Sequence, residues 1–237
     1  MRRFLATNVS KNSIYISGEE ANHMRNAVRM SIGDEFIAID GSGIDYTCAI
    51  TNIDKDVKAD ILSKSQNKAE PEINVTLYQA YPKSAKMNEI VQKAVELGAA
   101  AIVPFLSKRC VKRPSGQGDK LSKVALSAVK QCGRSIIPNV TDVQSFEQAL
   151  ELMSNHELLI ICDEEERQRQ LYTALQVGAS DIGIVIGSEG GFERSEIERV
   201  KDCGGIPVTL GRRIMRTETA GIAVLAACFY AKGEMEY

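Results

Sequence analysis

The rhythm of hydrophobic and polar positions changes once along this chain. Up to about residue 62 the apolar residues fall in short runs at 13–17, 35–40, 46–53 and 57–62, as strands do. Asp40-Gly41-Ser42-Gly43 is a turn between two of them, and 22–30 has a short helical pattern. Residues 64–72 are almost entirely polar and include a proline, so they read as a linker. Beyond it strands alternate with helices. The strands are expected at 74–79, 101–106, 158–162, 182–186 and 206–210, and the helices at 85–97, 120–131, 145–153, 165–175, 196–203 and 218–230. Gly98 suits the end of the first of these helices, and Ser195 with Glu198 suits a capping box opening the fifth. Such alternation predicts an α/β fold with a mostly parallel sheet and helices on both faces. The expected domains are 1–70, small and mainly β, and 73–237.

Two strand-to-loop-to-helix turns carry the candidate chemistry. The first is Ile186-Gly187-Ser188-Glu189-Gly190-Gly191-Phe192, and the second runs from Leu210-Gly211-Arg212-Arg213-Ile214-Met215 into Arg216-Thr217-Glu218-Thr219-Ala220. Open α/β folds bind ligands at the carboxyl ends of their strands. Glycines there let backbone groups approach a ligand with no Cβ in the way. Neither motif is the dinucleotide fingerprint or a P-loop. A tight turn also accounts for the Gly-Gly pair. Thr217 as a helix N-cap and Glu218 in the first turn have a capping explanation too, which leaves Arg216 without one.

These motifs, together with Ala21-Asn22-His23, Val28-Arg29-Met30, Lys86-Met87, Gln92-Lys93-Ala94-Val95-Glu96-Leu97-Gly98, Ser107 to Cys110 and Gln131-Cys132-Gly133-Arg134, give a resemblance over nearly the whole chain. The sequence resembles the SPOUT-class RNA methyltransferases. It is most similar to those that methylate N3 of one uridine in 16S ribosomal RNA of the small subunit. Ser188 stands where that family usually has proline, and Met215 where it usually has leucine. The resemblance implies a PUA-like RNA-binding β-barrel at the N-terminus. It also implies a deep trefoil knot in the second domain, which nothing in the periodicity reveals and base rates disfavour.

Composition narrows the picture further. The chain has 237 residues, with 5% aromatics and no Trp, which argues against a surface built on base stacking. No apolar stretch approaches a membrane span, and no apolar run follows the basic Met1-Arg2-Arg3-Phe4, so neither membrane nor secretory signal is expected. Six scattered cysteines read as reduced residues of a cytoplasmic protein, mostly in the core. Two histidines give little basis for a zinc site, and no metal is expected. The net charge of −2 hides an asymmetry. Residues 83–134 hold eleven basic and three acidic side chains, a surplus of eight inside an otherwise acidic chain. Such a stretch is the footprint of phosphate contact, although Lys120, Lys123 and Lys130 read better as a solvated helix face.

What the resemblance implies about the site can be placed residue by residue. S-adenosylmethionine would lie against Ile186, Gly187, Glu189, Gly190 and Gly191 from the first motif. From the second it would meet Leu210, Gly211, Ile214, Met215 and Thr219. Uracil N3 is protonated at neutral pH, so its proton must leave during transfer. Arg216 is the candidate cation for the developing anion. Glu218 and Glu189 are candidate bases, although a helix start and a turn account for both carboxylates without chemistry. RNA contacts are expected from Arg2, Arg3, His23, Arg25, Arg29, Lys83, Lys86, Lys108, Arg109, Lys112, Arg113 and Arg134. The apolar run 220–230 predicts a helix buried on more than one face, and a homodimer. Two other readings stay open. One is a ribosome-assembly protein that binds RNA without catalysis, which leaves the glycine motifs unexplained. The other is a doubly wound nicotinamide enzyme, which lacks its fingerprint.

Overall fold

A computed structural model describes residues 1–83 and 86–236. These fall into two compact units, one of residues 1–70 with 129–137 and the other of 71–128 with 138–237.

The first unit is a curled six-stranded sheet. Its strands are β1 (Arg3–Leu5), β2 (Asn8–Val9), β3 (Ser13–Ile16), β4 (Glu35–Ile39), β5 (Ile44–Ile53) and β6 (Val57–Gln66). They lie in the order β1-β4-β5-β6-β3-β2, antiparallel except for β1 on β4. Alternation decides what faces inward: Tyr46, Cys48 and Ile50 of β5 are buried and join Phe4, Ile14, Ile16 and Phe36 in one core. Two register shifts in β5, at Thr47/Cys48 and Ile50/Asn52, bend the long β5–β6 hairpin. The helical segment begins earlier than the pattern at 22–30 suggests. It is α1 (Gly18–Asn22) continued by one π-helical stretch (His23–Val28). The polar run at 64–72 is only partly a linker, because β6 extends to Gln66. Polar side chains there reflect an exposed strand end: Ile44 pairs with Gln66, and the Lys64 ammonium lies over the Tyr46 ring.

The second unit contains β7 (Asn74–Ala80), α2 (Met87–Leu97), β8 (Ala101–Leu106) and the start of α3 (Gly118–Cys132). It continues with β9 (Asn139–Val140), β10 (Gln144–Ser145), α4 (Phe146–Met153), β11 (Leu158–Cys162), α5 (Leu171–Leu175), β12 (Asp181–Ile186), α6 (Arg194–Asp202), β13 (Ile206–Val208) and α7 (Thr217–Ala231). Ala85, where the first helix was expected to begin, lies outside the described residues. The sheet is wholly parallel in the order β10-β8-β7-β12-β11-β13, with β9 also on β8. Its central strands are buried along nearly their whole length, as a parallel sheet covered on both faces requires. Gly98 ends α2 at φ 113°, and a Cβ there would meet Pro71 Cγ at 2.7 Å.

Three expectations at helix starts give way here. The acidic run after β11 is not helical until Leu171, so the helix read at 165–175 is mostly loop. The fifth helix is capped by Glu193 with Glu196, two residues before Ser195. Thr217 is the first residue of α7 and Arg216 its N-cap, because the Thr217 hydroxyl is turned inward to a carbonyl. After β13 the chain returns across the sheet, and α7 packs on β7, β12 and α2.

Candidate functional site

Three loops leave the carboxyl ends of adjacent strands β12, β11 and β13, and they enclose a cleft of about 1250 Å³. They contribute residues 163–165 and 167, 187–189 with 191–192, and 209–216. Two of these loops are the motifs the sequence singled out. The third, with Asp163, Glu164, Glu165 and Arg167, was hidden because its charged residues resemble a helix face. Its position beyond the end of a buried strand was the available signal.

Of the residues expected to touch a cofactor, Ile186, Gly187, Glu189, Gly191, Leu210, Gly211, Ile214 and Met215 line the cleft. Gly190 and Thr219 do not. Gly190 faces the loop after β8: a Cβ on it would come within 3.1 Å of Arg109 Cβ, and Arg109 Nη1 donates to its carbonyl at 2.9 Å. Thr219 is exposed on the first turn of α7. The glycines of the first loop are packed closely. A Cβ at Gly187 would meet Phe192 at 3.1 Å and the Gly191 backbone at 3.2 Å, and Gly191 itself sits at φ 65°. Phe192 is in turn stacked on Phe105, at 6.4 Å between ring centroids.

Beneath the first loop lies a polar group that sequence reasoning did not single out. Gln79, at the end of β7, is wholly buried. Its amide donates to Thr217 Oγ1 at 2.8 Å, and the Thr217 hydroxyl donates to the Gly187 carbonyl at 2.5 Å. A glutamine within the buried end of a strand was the visible hint.

Charges are sorted around the cleft. Arg212, Arg213 and Arg216 stand on one wall and Asp163, Glu164 and Glu165 on another. Among the described residues no carboxylate comes within salt-bridge distance of Arg212, Arg213 or Arg216. Ile214 lies between the arginines with 87% of its surface exposed. Glu189 lines the cleft, and both its oxygens accept from the Lys83 amide at 3.1 Å. Glu218 is not a lining residue. It is paired with Lys86 at 2.8 Å, and Lys86 also lies 3.9 Å from Glu189. Burial pushes the Glu218 carboxyl up, but Lys86, the amide at its own helix start and Arg216 outweigh it and hold it below its ordinary value. Burial pushes the Cys162 thiol, also on the cleft wall, up to about 12.

The residues expected to meet RNA lie in both units. In the first, Arg2, His23 and Arg29 are exposed, and Arg25 donates to the Asp54 carbonyl at 2.8 Å. Arg3 makes a two-pronged pair with Asp45, at 2.7 Å for each prong. Arg134 is only 4% exposed and is paired with Glu70 at 2.9 Å. In the second unit Lys83, Lys108, Arg109, Lys112 and Arg113 are exposed, and Lys86 is held in its carboxylate pair. Lys108 reaches Glu193 at 2.9 Å.

Comparison with known proteins agrees with this geometry. The family model for an RNA methyltransferase domain matches residues 69–228, and that for an RNA methyltransferase PUA domain matches 16–61. Ribosomal RNA small subunit methyltransferase E of Bacillus subtilis is 33% identical over 228 residues, which cover 91% of this chain and 89% of the relative. Its namesake in Mesomycoplasma hyopneumoniae is 29% identical, with 96% and 99% covered. The crystal structure of ribosomal RNA small subunit methyltransferase E from Neisseria gonorrhoeae bound to S-adenosylmethionine superposes with a TM-score of 0.86 at 30% identity, covering 97% of both chains. With both domain matches in place and full-length similarity beside them, the chain belongs to the SPOUT-class RNA methyltransferases that carry a PUA domain ahead of the methyltransferase domain.

Proposed function

We propose that this protein is an S-adenosylmethionine-dependent methyltransferase acting on N3 of a uridine in 16S ribosomal RNA of the small subunit. The observation that carries the reading is the three-loop cleft at the carboxyl edge of the parallel sheet. Its residues fit the cofactor. Closely packed glycines bring backbone groups to the ligand, Ile186, Leu210 and Met215 give apolar walls, and the acidic wall suits a ligand that carries a sulfonium and an ammonium. The cofactor, when bound, supplies an electrophilic methyl group.

The chain must then orient N3 and manage its proton. Arg216, at the cleft wall and without a carboxylate pair among the described residues, stabilises the uracil anion as it forms. Glu189 lines the cleft and is the better-placed base, since Glu218 is turned to Lys86. Exposed Lys112 and Arg113 of the second unit, and Arg2, His23 and Arg29 of the first, take RNA phosphates. In this reading residues 1–70 form the PUA-like RNA-binding domain and 73–237 the methyltransferase domain. The protein works as a homodimer in the cytoplasm.

Incubating the protein with methyl-labelled S-adenosylmethionine and small subunits lacking the modification tests the function. Label in a 3-methyluridine of the 16S RNA is expected. Label in another base or ring position overturns the N3 assignment, and no heat on calorimetric titration with S-adenosylmethionine overturns the cofactor.

A further inference from the structure

We propose that Gln79 is a positioning residue for the cofactor loop, acting through Thr217. The Gln79 amide nitrogen has three acceptors around it: Thr217 Oγ1 at 2.8 Å, the Ala80 carbonyl at 3.0 Å and the Gly187 carbonyl at 3.4 Å. The Thr217 hydroxyl spends its proton on the Gly187 carbonyl, so its oxygen is left to accept from Gln79. The result is a directed chain, Gln79 to Thr217 to Gly187. It joins the end of β7 to the first residue of one cleft loop and to the residue that follows Arg216. One buried carboxamide thereby sets the register between the glycine loop and the arginine loop.

Folding alone does not explain a glutamine at this position. Its Oε1 is buried and has no partner among the described residues, and it lies against α7, where a Cβ on Gly221 would come within 3.4 Å of it. An unpartnered buried oxygen is a cost that an apolar side chain of the same length would avoid. The donor end of Gln79 is what the site gains in return. Gly187 and Thr217 both line the cleft while Gln79 does not, so its influence on a ligand is indirect.

This role presupposes the S-adenosylmethionine reading above, and the wild-type titration tests that reading separately. Dissociation constants for S-adenosylmethionine and melting temperatures are measured for the wild type, Gln79→Met, Thr217→Val, Thr217→Ser and the Gln79→Met/Thr217→Val double variant. Each single loss of the chain is expected to weaken cofactor binding about tenfold, the scale of one or two hydrogen bonds. The double variant is expected to be no weaker than the worse single one, and Thr217→Ser, which keeps the hydroxyl, to bind more tightly than Thr217→Val. Gln79→Met is expected to melt no lower than the wild type. Wild-type affinity in Gln79→Met overturns the proposal, as does a double variant whose losses multiply, or a loss of affinity that only tracks a falling melting temperature. A wild type that does not bind S-adenosylmethionine overturns the cofactor reading and this role with it.

Discussion

Lys86 Nζ lies 2.8 Å from Glu218 and 3.9 Å from Glu189, so a single ammonium faces both carboxylates that the sequence offered as bases. It does not treat them alike. Glu218 is the closer partner, is held below its ordinary value and is off the cleft wall. A carboxylate held ionised in this way is a weaker base. Glu218→Gln is therefore expected to lower kcat at most about tenfold, whereas Glu189→Gln lowers it about a hundredfold or more. Above about pH 5 the rate profile of Glu218→Gln should keep the wild-type shape, since the Glu218 carboxylate titrates below 4.5. Turnover abolished in Glu218→Gln, with cofactor binding intact, would reverse the two roles.

Arg216 occupies the N-cap position of α7 and lines the cleft, and among the described residues no carboxylate comes within salt-bridge distance of it. Its charge is thus available to an anion formed in the site. Arg216→Ala is expected to lower kcat by about a hundred- to a thousandfold, the scale of losing one donor to a developing negative charge. Cofactor affinity should stay within about tenfold of wild type. Single-turnover transfer measured beside calorimetry separates the two effects. Near-normal transfer would remove the anion-stabilising role.

Much of this site was legible because it depends on local signals. The two glycine motifs sit where buried strands end, and the residues that line the cleft from them are mainly those the motifs named. Elements with clear periodicity, such as β12 and α4, lie within a residue of their expected bounds. What escaped depended on tertiary context. The loop 163–170 carries helix-forming residues but lies over the cleft, so its charges pair across space, as Asp163 does with Arg194 at 3.1 Å. Residues 129–137 group with the first unit because buried Ser135 bonds Asp45 and Asn67, partners far away in sequence. Gln79 meets Thr217, which is 138 residues further on.

The basic loop after β8 divides into two halves. Lys108 and Arg109 are tied to Glu193 and to the Gly190 carbonyl. Lys112 and Arg113 are exposed and, among the described residues, have no acidic partner. Replacing Lys112 and Arg113 by Gln is expected to weaken RNA binding and to flatten its log–log salt slope by about 1.4–1.8. Cofactor affinity should not change. Replacing Lys108 and Arg109 by Gln should instead weaken the cofactor, because the loop at 190–195 loses its support. A salt slope unaffected by the first pair would place the RNA phosphates elsewhere.

Asp45 gives the first unit an acid-sensitive anchor. Arg3, Asn67 and Ser135 all hydrogen-bond to its carboxylate. Burial raises that carboxyl, but Arg3, Ser135 and Asn67 together bring it below its ordinary value of 3.8. The folded value is thus the lower one. The stabilisation is present above pH 3.8 and is lost as pH falls through the folded value. Asp45→Asn is expected to lose about 2 kcal/mol at neutral pH. The gap to wild type should narrow progressively below pH 3.8 in urea titrations. An equal gap at about pH 3 and pH 7 would show that packing, not charge, is responsible.

The face of α7 turned away from the sheet carries the dimer prediction. Val224, Leu225, Cys228 and Phe229 are buried within the second unit. On the other side Ile222, Ala223, Ala226 and Ala227 are only half-buried, and Tyr230 is 71% exposed. A contiguous apolar helix face left in water is unfavourable unless another surface covers it. Its small residues allow the close approach of a second helix, and a two-fold axis would let the same face meet itself. Sedimentation at micromolar concentration is expected to give a species of twice 25.9 kDa. Ala223→Glu and Ala226→Glu should each shift it to a folded monomer, because a carboxylate on a half-exposed position is tolerated in water but not in a dry interface. A wild-type mass of 25.9 kDa would sink the dimer. A dimer that persists in both glutamate variants would move its interface away from this face of α7.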